Sequence, residues 1–431
     1  MKSRIAILVL VAAFVVVPAP AAWAQPTLGF QVGSLTQVNI MGLLAVGLKG
    51  SQVTNTNRPG LNTETRLDDN TSRLIISSSS KIADGWAVNF VLESRFFADS
   101  RPGDPFVPGT TIYNTNYGWA DGDTYGAISS PFGSMSFGHT TLYYTDTINV
   151  DYLGLAASPG EGYRIWDVNG LGSFNMLDQV TSLTKTGVGA GSLFTFGNGR
   201  ARNVVRYNSP NFSGLTFSLA WTPNAASNEL QYIAPDTPGY TRSYTNGATL
   251  YGTARYNKGP VSAQLSYYQS RVAGGAYNPA AQAGPTDNSG VRAGASYKLP
   301  FNLKIGVVWD RTQYDNSVYA SAASAVATEA AKRDVFLIPV SYSWKDHAFY
   351  VTYSIAGNTS SVANTGATQL NIGYDYALTK RAFAGLYYTS IKNDSYGHYT
   401  PFLAGSSIGP TANSVAGENW WQFGANLNYW F

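Results

Sequence analysis

The stretch WWQFGANLNYWF, residues 420–431, decides the fold. Its apolar and polar side chains alternate: one set is Trp421, Phe423, Ala425, Leu427, Tyr429 and Phe431, and the other is Gln422, Gly424, Asn426 and Asn428. Successive side chains of a β-strand point to opposite faces, so a period of two predicts a strand with one apolar and one polar face.

The same period recurs upstream, where turn residues divide the chain into segments of strand length. In residues 85–97, one face holds Trp86, Val88, Phe90 and Leu92, and the other holds Asn89, Glu93 and Arg95. Sixteen such strands are predicted, at residues 38–48, 72–81, 85–97, 124–130, 133–139, 202–208, 215–222, 248–256, 261–271, 291–299, 303–314, 334–344, 348–357, 367–378, 381–392 and 420–431.

The connections between these strands fall into two classes that alternate along the chain. Seven are short turns, and eight are long and rich in Gly, Ser, Thr, Asn, Pro and Asp. Short turns at one end and long loops at the other are typical of a transmembrane barrel, and a β-sandwich would not require them. We therefore predict an all-β fold, a single closed antiparallel transmembrane β-barrel. Its polar face, which carries charges, should line water, and its apolar face should meet lipid.

Residues 1–24 have the features of a secretory signal peptide, which leaves residues 25–431 as the barrel domain. Lys2 and Arg4 make a positive start, and an apolar stretch at residues 5–17 follows. The small-x-small sequence Ala22-Trp23-Ala24 then predicts cleavage before Gln25. The apolar stretch is too short to span a bilayer comfortably, which argues against a helical anchor.

Composition narrows the classes of function. Charged residues make up 12% of the chain, whereas a typical soluble domain has roughly 25%. The chain has no Cys, which excludes disulfides and thiolate metal sites. The net charge is +3, and removal of Lys2 and Arg4 leaves +1 without any basic stripe, so nucleic-acid binding is not expected.

Several stretches follow one another in a fixed order: TSRL at 71–74, DGWAVNFVLES at 84–94, the YG to FGH segment at 125–139, NVVRYNSPNFSG at 203–214, and the terminal Phe431. Together they resemble the general diffusion porins of Gram-negative outer membranes, in particular the trimeric proteobacterial type. The resemblance implies a passive outer-membrane channel for small hydrophilic solutes and ions, without a cofactor. It also implies a homotrimer surrounded by outer-membrane lipid and lipopolysaccharide, with Phe431 as the insertion signal.

In that family the third external loop folds into the barrel, and its acids face a ladder of basic residues across the pore. The resemblance places this loop at about residues 140–199. This loop contains Asp146, Asp151, Glu161, Asp167 and Asp178, and the resemblance implies that some of the first four line the constriction. The implied ladder is Arg73 with Arg200, Arg202 and Arg206. Glu93 and Arg95 also belong to the predicted pore wall, where a local ion pair is favoured over a selectivity element. Facing charges would set up a transverse field that screens permeants.

Two positions depart from the family pattern. His139 stands where the family has an Arg, which would weaken the positive side at neutral pH and make conductance sensitive to pH. Met41, Leu43 and Ala45 fill the inward positions of the first strand, where the family usually has a charge. The sign of any ion selectivity therefore stays open.

Other interpretations remain for these groups. The loop acids would also suit a solvated or calcium-holding loop. An aromatic set could form a sugar track, although an interfacial girdle is favoured: Trp119, Tyr143, Tyr144, Trp166, Trp344, Trp420 and Trp421. A substrate-selective channel with such a track is the closest alternative function, and a barrel that anchors an enzyme or adhesin is the next. The three His residues lie near no G-x-S-x-G elbow, and no metalloprotease or P-loop motif occurs, so an enzyme is not expected.

Overall fold

A computed structural model describes residues 28–56, 63–69, 72–96, 120, 122–142, 200–223, 249–272, 286–320, 326–358, 360, 363–397, 399 and 417–431. Within these residues, eighteen strands form one antiparallel sheet. They are β1 (Leu28–Val32), β2 (Thr36–Thr54), β3 (Thr63–Asp69), β4 (Arg73–Ala83), β5 (Trp86–Arg95), β6 (Thr124–Ser130), β7 (Gly133–Thr141), β8 (Arg200–Asn208), β9 (Leu215–Thr222), β10 (Thr249–Lys258), β11 (Val261–Val272), β12 (Thr286–Lys298), β13 (Leu303–Ala320), β14 (Val326–Trp344), β15 (His347–Ala356), β16 (Ala367–Ala377), β17 (Ala382–Asn393) and β18 (Asn419–Trp430). The proposed signal peptide, residues 1–24, lies outside the described residues.

The sheet closes on itself around β2, where two pairs of strands each share one edge. On one edge, β3 pairs with residues 46–52 of β2 and β4 pairs with residues 36–43. On the other edge, β18 pairs with residues 43–54 and β1 pairs with residues 36–40. The eighteen described strands therefore occupy sixteen positions around the barrel, which confirms the predicted closed antiparallel barrel.

Two strands and one loop differ from the sequence prediction. β1 and β3 were not predicted, because each pairs with only part of β2 and lacks a long alternating pattern. The prediction of a long connection between residues 314 and 334 was wrong. Strand β13 extends to Ala320 and β14 begins at Val326, and their pairing has a register shift between Tyr314 and Ser317. Small and polar residues there suggested a loop, but antiparallel pairing satisfies the backbone whatever the side chains are.

The short connections at one end of the barrel are tight turns. Gly85 between β4 and β5 has a φ of +73°, and Gly259 between β10 and β11 has a φ of +59°. Two-residue hairpin turns need positive φ angles, which glycine adopts without steric cost. These turns therefore fix the register of the strands that they join.

The two faces of the wall differ in chemistry, as predicted. On the outside, large apolar side chains are more than a third exposed around the whole barrel: examples are Val88, Phe90, Phe137, Leu219, Trp221, Leu265, Val307, Phe336, Val351, Ile372 and Leu427. In β18 the inward set, including Gln422, Asn426 and Asn428, is buried. An apolar outer surface of this extent is what a barrel presents to lipid. No helix long and apolar enough to cross a membrane occurs in the described part of the chain.

Candidate functional site

The inner wall carries an ion pair where β4 begins. Arg73 lies opposite Leu43 of β2, and its Nη1 is 3.6 Å from Oε1 of Glu93 on β5. Both side chains are nearly buried, at 12% and 9% exposure. A Cβ placed on Gly122 would overlap Glu93, and the Gly122 N–H donates to the Glu93 carbonyl at 3.0 Å. The backbone after the second external loop thus holds the carboxylate against the wall.

A second fixed cation lies on β8. Arg206 donates from Nε to Asn208 at 2.9 Å, from Nη1 to the Thr141 carbonyl at 3.1 Å, and from Nη2 to Ser218 at 3.4 Å. Its Cζ is 5.8 Å from the centre of the Tyr251 ring. Arg206 is paired in register with Ser136 and Ala220, both buried, so it belongs to the inward face. These three hydrogen bonds hold the guanidinium in one orientation. A charge that discriminates between permeating solutes has to keep a fixed position in this way.

Other predicted site residues are described less fully or not at all. Arg95 lies in β5, and Arg200 and Arg202 lie in β8, but their side chains are outside the described part of the chain. The pairing of β7 with β8 has a register shift between Gly138 and Thr140. Ala201 and Val204, on the two sides of this shift in β8, are both buried, so the inward or outward direction of Arg200 and Arg202 does not follow from simple alternation. His139 is half-buried, and by its pairing with Thr124 it shares the parity of Phe137. The loop residues Asp146, Asp151, Glu161, Asp167 and Asp178 fall outside the described residues.

The wall holds further charged groups that the sequence analysis did not select. Lys49 of β2 and Arg66 of β3 are register partners, and Arg66 is 3.7 Å from Glu64. Arg292 and Asp310 form a buried pair between β12 and β13. Both of these residues lie at polar positions of strands that the alternation had predicted. Lys49 was not predicted as a pore residue because the predicted first strand ends one residue before it.

Tyrosines lie flat on one part of the inner wall. Tyr350 of β15 is paired with Gly373 of β16, and Tyr387 of β17 with Gly424 of β18. A Cβ placed on either glycine would overlap the ring of its tyrosine. Both tyrosines are buried, at 6% and 5% exposure. The glycines therefore let the two rings lie along the wall instead of projecting across the lumen.

The described members of the aromatic set do not line one track. Trp344 and Trp421 are exposed on the outer face, one beside a short turn and one at the opposite end of the barrel, whereas Trp420 is buried on the inner face. Trp119, Tyr143, Tyr144 and Trp166 lie outside the described residues. Trp344 and Trp421 have the positions of an interfacial girdle. Among the described residues, no group of three or more His, Asp or Glu is arranged to hold a metal ion.

Comparison with known proteins gives one family and one fold. A family model described as Gram-negative porin matches residues 6–396. The structure is similar to an anion-selective porin from Comamonas acidovorans, with 18% identity, a TM-score of 0.64, and coverage of 92% of this chain and 100% of that chain. It is similar to the trimer form of OmpT from Vibrio cholerae, with 13% identity, a TM-score of 0.56, and coverage of 92% and 100%.

A third structural relative is OmpF of Salmonella typhi in a complex with daunomycin, with 13% identity, a TM-score of 0.53, and coverage of 94% of this chain and 100% of that chain. Likeness at this level of identity concerns the fold. No curated protein matches the chain in sequence comparison.

Proposed function

The chain belongs to the Gram-negative porin family, and from that premise we propose which residues of its pore screen the permeating solutes. The protein is an outer-membrane channel through which small hydrophilic solutes and ions diffuse passively, a channel rather than an enzyme. The observation that carries the proposal is the pair of guanidinium groups, Arg73 and Arg206, held on the inner wall of a barrel whose outer face is apolar.

We assign the positive side of the constriction to Arg73 and Arg206, with Arg95, Arg200 and Arg202 as further members. His139 is not assigned to it, because it shares the parity of the outward-facing Phe137. Glu93 offsets part of this charge beside Arg73. The opposing side is assigned to the third external loop, through Asp146, Asp151, Glu161 and Asp167. Guanidinium groups stay charged at every physiological pH. A fixed positive surface facing fixed carboxylates orients dipolar solutes and biases entry by sign of charge.

Single-channel conductance in a planar lipid bilayer tests this assignment. Wild-type protein should give ohmic steps, and Arg206→Gln should shift the reversal potential in a salt gradient towards cation preference. The matched control is Arg381→Gln, in an exposed turn outside the lumen, which should leave the reversal potential unchanged. A wild-type protein without conductance would overturn the channel itself. A conducting Arg206→Gln variant with wild-type selectivity would overturn only the residue assignment.

We further propose a homotrimer in a bilayer of lipid and lipopolysaccharide. The trimer form of the Vibrio cholerae relative supports this assembly. Conductance steps that close in thirds, and a trimer mass in analytical ultracentrifugation, are the expected results. A monomer mass in mild detergent would contradict the proposal. We also propose cleavage after Ala24, for which mass spectrometry of protein from the outer membrane should find Gln25 as the first residue.

A solute-binding aromatic track is the alternative function, and the described tryptophans do not favour it. A track would give conductance that one solute blocks saturably. The proposed diffusion pore should show none of this with maltose, maltotriose or similar sugars. Saturable block of the conductance by one of these sugars would instead indicate a substrate-selective channel.

A further inference from the structure

Tyr399 is a described residue of the last external loop, between β17 and β18. Tyr399 of this loop is fully buried. It belongs to one cluster with Val53, Val335, Ala356, Ala367, Ile391 and Trp420. All six are inward-facing. Five of them, Val53, Ala356, Ala367, Ile391 and Trp420, lie near the external ends of their strands, and Val335 of β14 is paired with Ala356. A residue of an external loop thus lies inside the mouth, against the inner wall.

Tyr399 meets a buried arginine there. Arg333 of β14 is 1% exposed, and its Nη1 donates to the Tyr399 hydroxyl at 2.6 Å. Its Cζ lies 5.1 Å from the centre of the tyrosine ring, within cation–π range. The ring and the hydroxyl therefore both contact the guanidinium. Tyr399 is one of the groups that keep this charge from the water of the lumen.

The loop is held in this position at both of its ends. Asn393 accepts from the Tyr399 N–H at 2.9 Å, and its amide donates to the Tyr399 carbonyl at 2.8 Å. The same amide donates to the Glu418 carbonyl at 2.5 Å, and the Gly417 N–H donates to the Gly397 carbonyl at 2.8 Å. Asn393 thus joins the start of the loop to its end.

Two neighbouring connections brace the same structure. The Tyr396 N–H donates to the Asn364 carbonyl at 2.8 Å, which joins the loop to the connection between β15 and β16. Asn55, after β2, donates to the Gly417 carbonyl at 2.7 Å, and Thr56 donates to the Glu418 carboxylate. The described residues of this loop therefore form hydrogen bonds with three parts of the chain: the end of β17, the connection between β15 and β16, and the residues after β2.

We propose that Tyr399 masks the charge of Arg333 at the external mouth of the channel, at a place separate from the proposed constriction by the third loop. The tyrosine occupies lumen volume along the wall and masks the arginine charge. This inference rests on the proposed diffusion function. It predicts that the tyrosine, and not the arginine alone, sets the charge that an entering ion meets.

The test is single-channel conductance and reversal potential of four full-length proteins: wild type, Tyr399→Ala, Arg333→Gln and the double variant. Tyr399→Ala should raise unitary conductance and shift the reversal potential towards anion preference, because it exposes the guanidinium. Arg333→Gln alone should leave the reversal potential close to wild type. The double variant should lose the anion shift and keep the larger conductance.

Tyr396→Ala is the matched control, because Tyr396 lies in the same segment but is 56% exposed. It should behave as wild type. Heat-modifiable mobility on gels confirms that each variant forms a folded barrel, and a variant that fails there is replaced by Tyr399→Leu. Wild-type conductance and selectivity in folded Tyr399→Ala would overturn the inference, as would an anion shift that persists in the double variant. Absence of conductance in wild type would instead overturn the proposed function.

Discussion

Arg292 and Asp310 face each other across β12 and β13, with Nε of the arginine 3.0 Å from Oδ2 of the aspartate. Their side chains are 2% and 3% exposed. Thr312 donates to the other carboxylate oxygen at 3.2 Å. The wall therefore contains an arginine whose charge is balanced locally, in contrast to Arg206, whose described hydrogen bonds go to neutral acceptors.

Asp310→Asn should destabilise the barrel because it keeps the shape of the side chain and removes the negative charge beside Arg292. Removing one partner of a buried ion pair costs about 3–5 kcal/mol. Unfolding by urea in detergent micelles measures the loss. Asp84→Asn is the matched control, in a turn where the side chain is 98% exposed, and should leave stability unchanged. Equal stability of the two variants would refute a structural role for the pair.

Gly424→Ala should disturb the inner wall because the new methyl group would overlap the Tyr387 ring. The ring would have to leave the wall and project into the lumen. We expect reduced unitary conductance and a stability loss of about 1–3 kcal/mol, the usual cost of overpacking. Gly126→Ala is the control, because no atom lies within 4 Å of the added Cβ. If Gly424→Ala and Gly126→Ala have equal conductance, the Tyr387 ring can stay along the wall beside the added methyl group, which contradicts the prediction.

The period of two predicted the faces of the wall correctly. Leu427 is exposed on the outer face and Asn428 is fully buried on the inner face, as their alternation requires. The same rule places Arg292 and Asp310 at inward positions, but it does not give register. That these two residues are opposite each other depends on the turn at residues 299–302, whose exact pairing no local pattern specifies.

The Arg333 contact with Tyr399 was beyond prediction for a different reason. The two residues are 66 positions apart, and one of them lies in a loop. Strand periodicity carries no information on the path of a loop, because a loop is positioned by bonds such as those of Asn393 to Tyr399 and Glu418. The resemblance predicts an inward path for the third external loop, whereas the described residue that lies inside the mouth is Tyr399, from the last external loop.

An ion pair on the outer face should be weaker than its geometry suggests. Arg311 of β13 donates to both carboxylate oxygens of Asp334 on β14, at 2.8 and 2.6 Å, and the Trp309 indole donates to the same carboxylate at 2.9 Å. The side chains are 50% and 34% exposed. A double-mutant cycle with Arg311→Ala and Asp334→Ala should give a coupling of about 0.2–1 kcal/mol, since solvent screens such pairs.

Arg311→Lys adds a control to that cycle, because it keeps the charge and loses the planar fork. It should lose part of the coupling in low salt, and high salt should reduce the coupling of the wild-type pair. Coupling that is insensitive to salt would contradict the expectation that solvent screens this pair.

Alkaline pH should release Tyr399 from the mouth. Burial raises the pKa of the Tyr399 phenol above its ordinary value of 10.0; the nearby Arg333 opposes this rise, and Asp394 adds to it. In the released loop the phenol ionises near its ordinary pKa, at about 10. The buried phenol keeps its proton, so its contribution to holding Tyr399 in the mouth is full below that pH and is lost as pH rises through the raised pKa. Unitary conductance should therefore increase at strongly alkaline pH in wild type and not in Tyr399→Phe, which keeps the ring without a titrating hydroxyl. An identical alkaline increase in both proteins would assign the change to other groups of the pore.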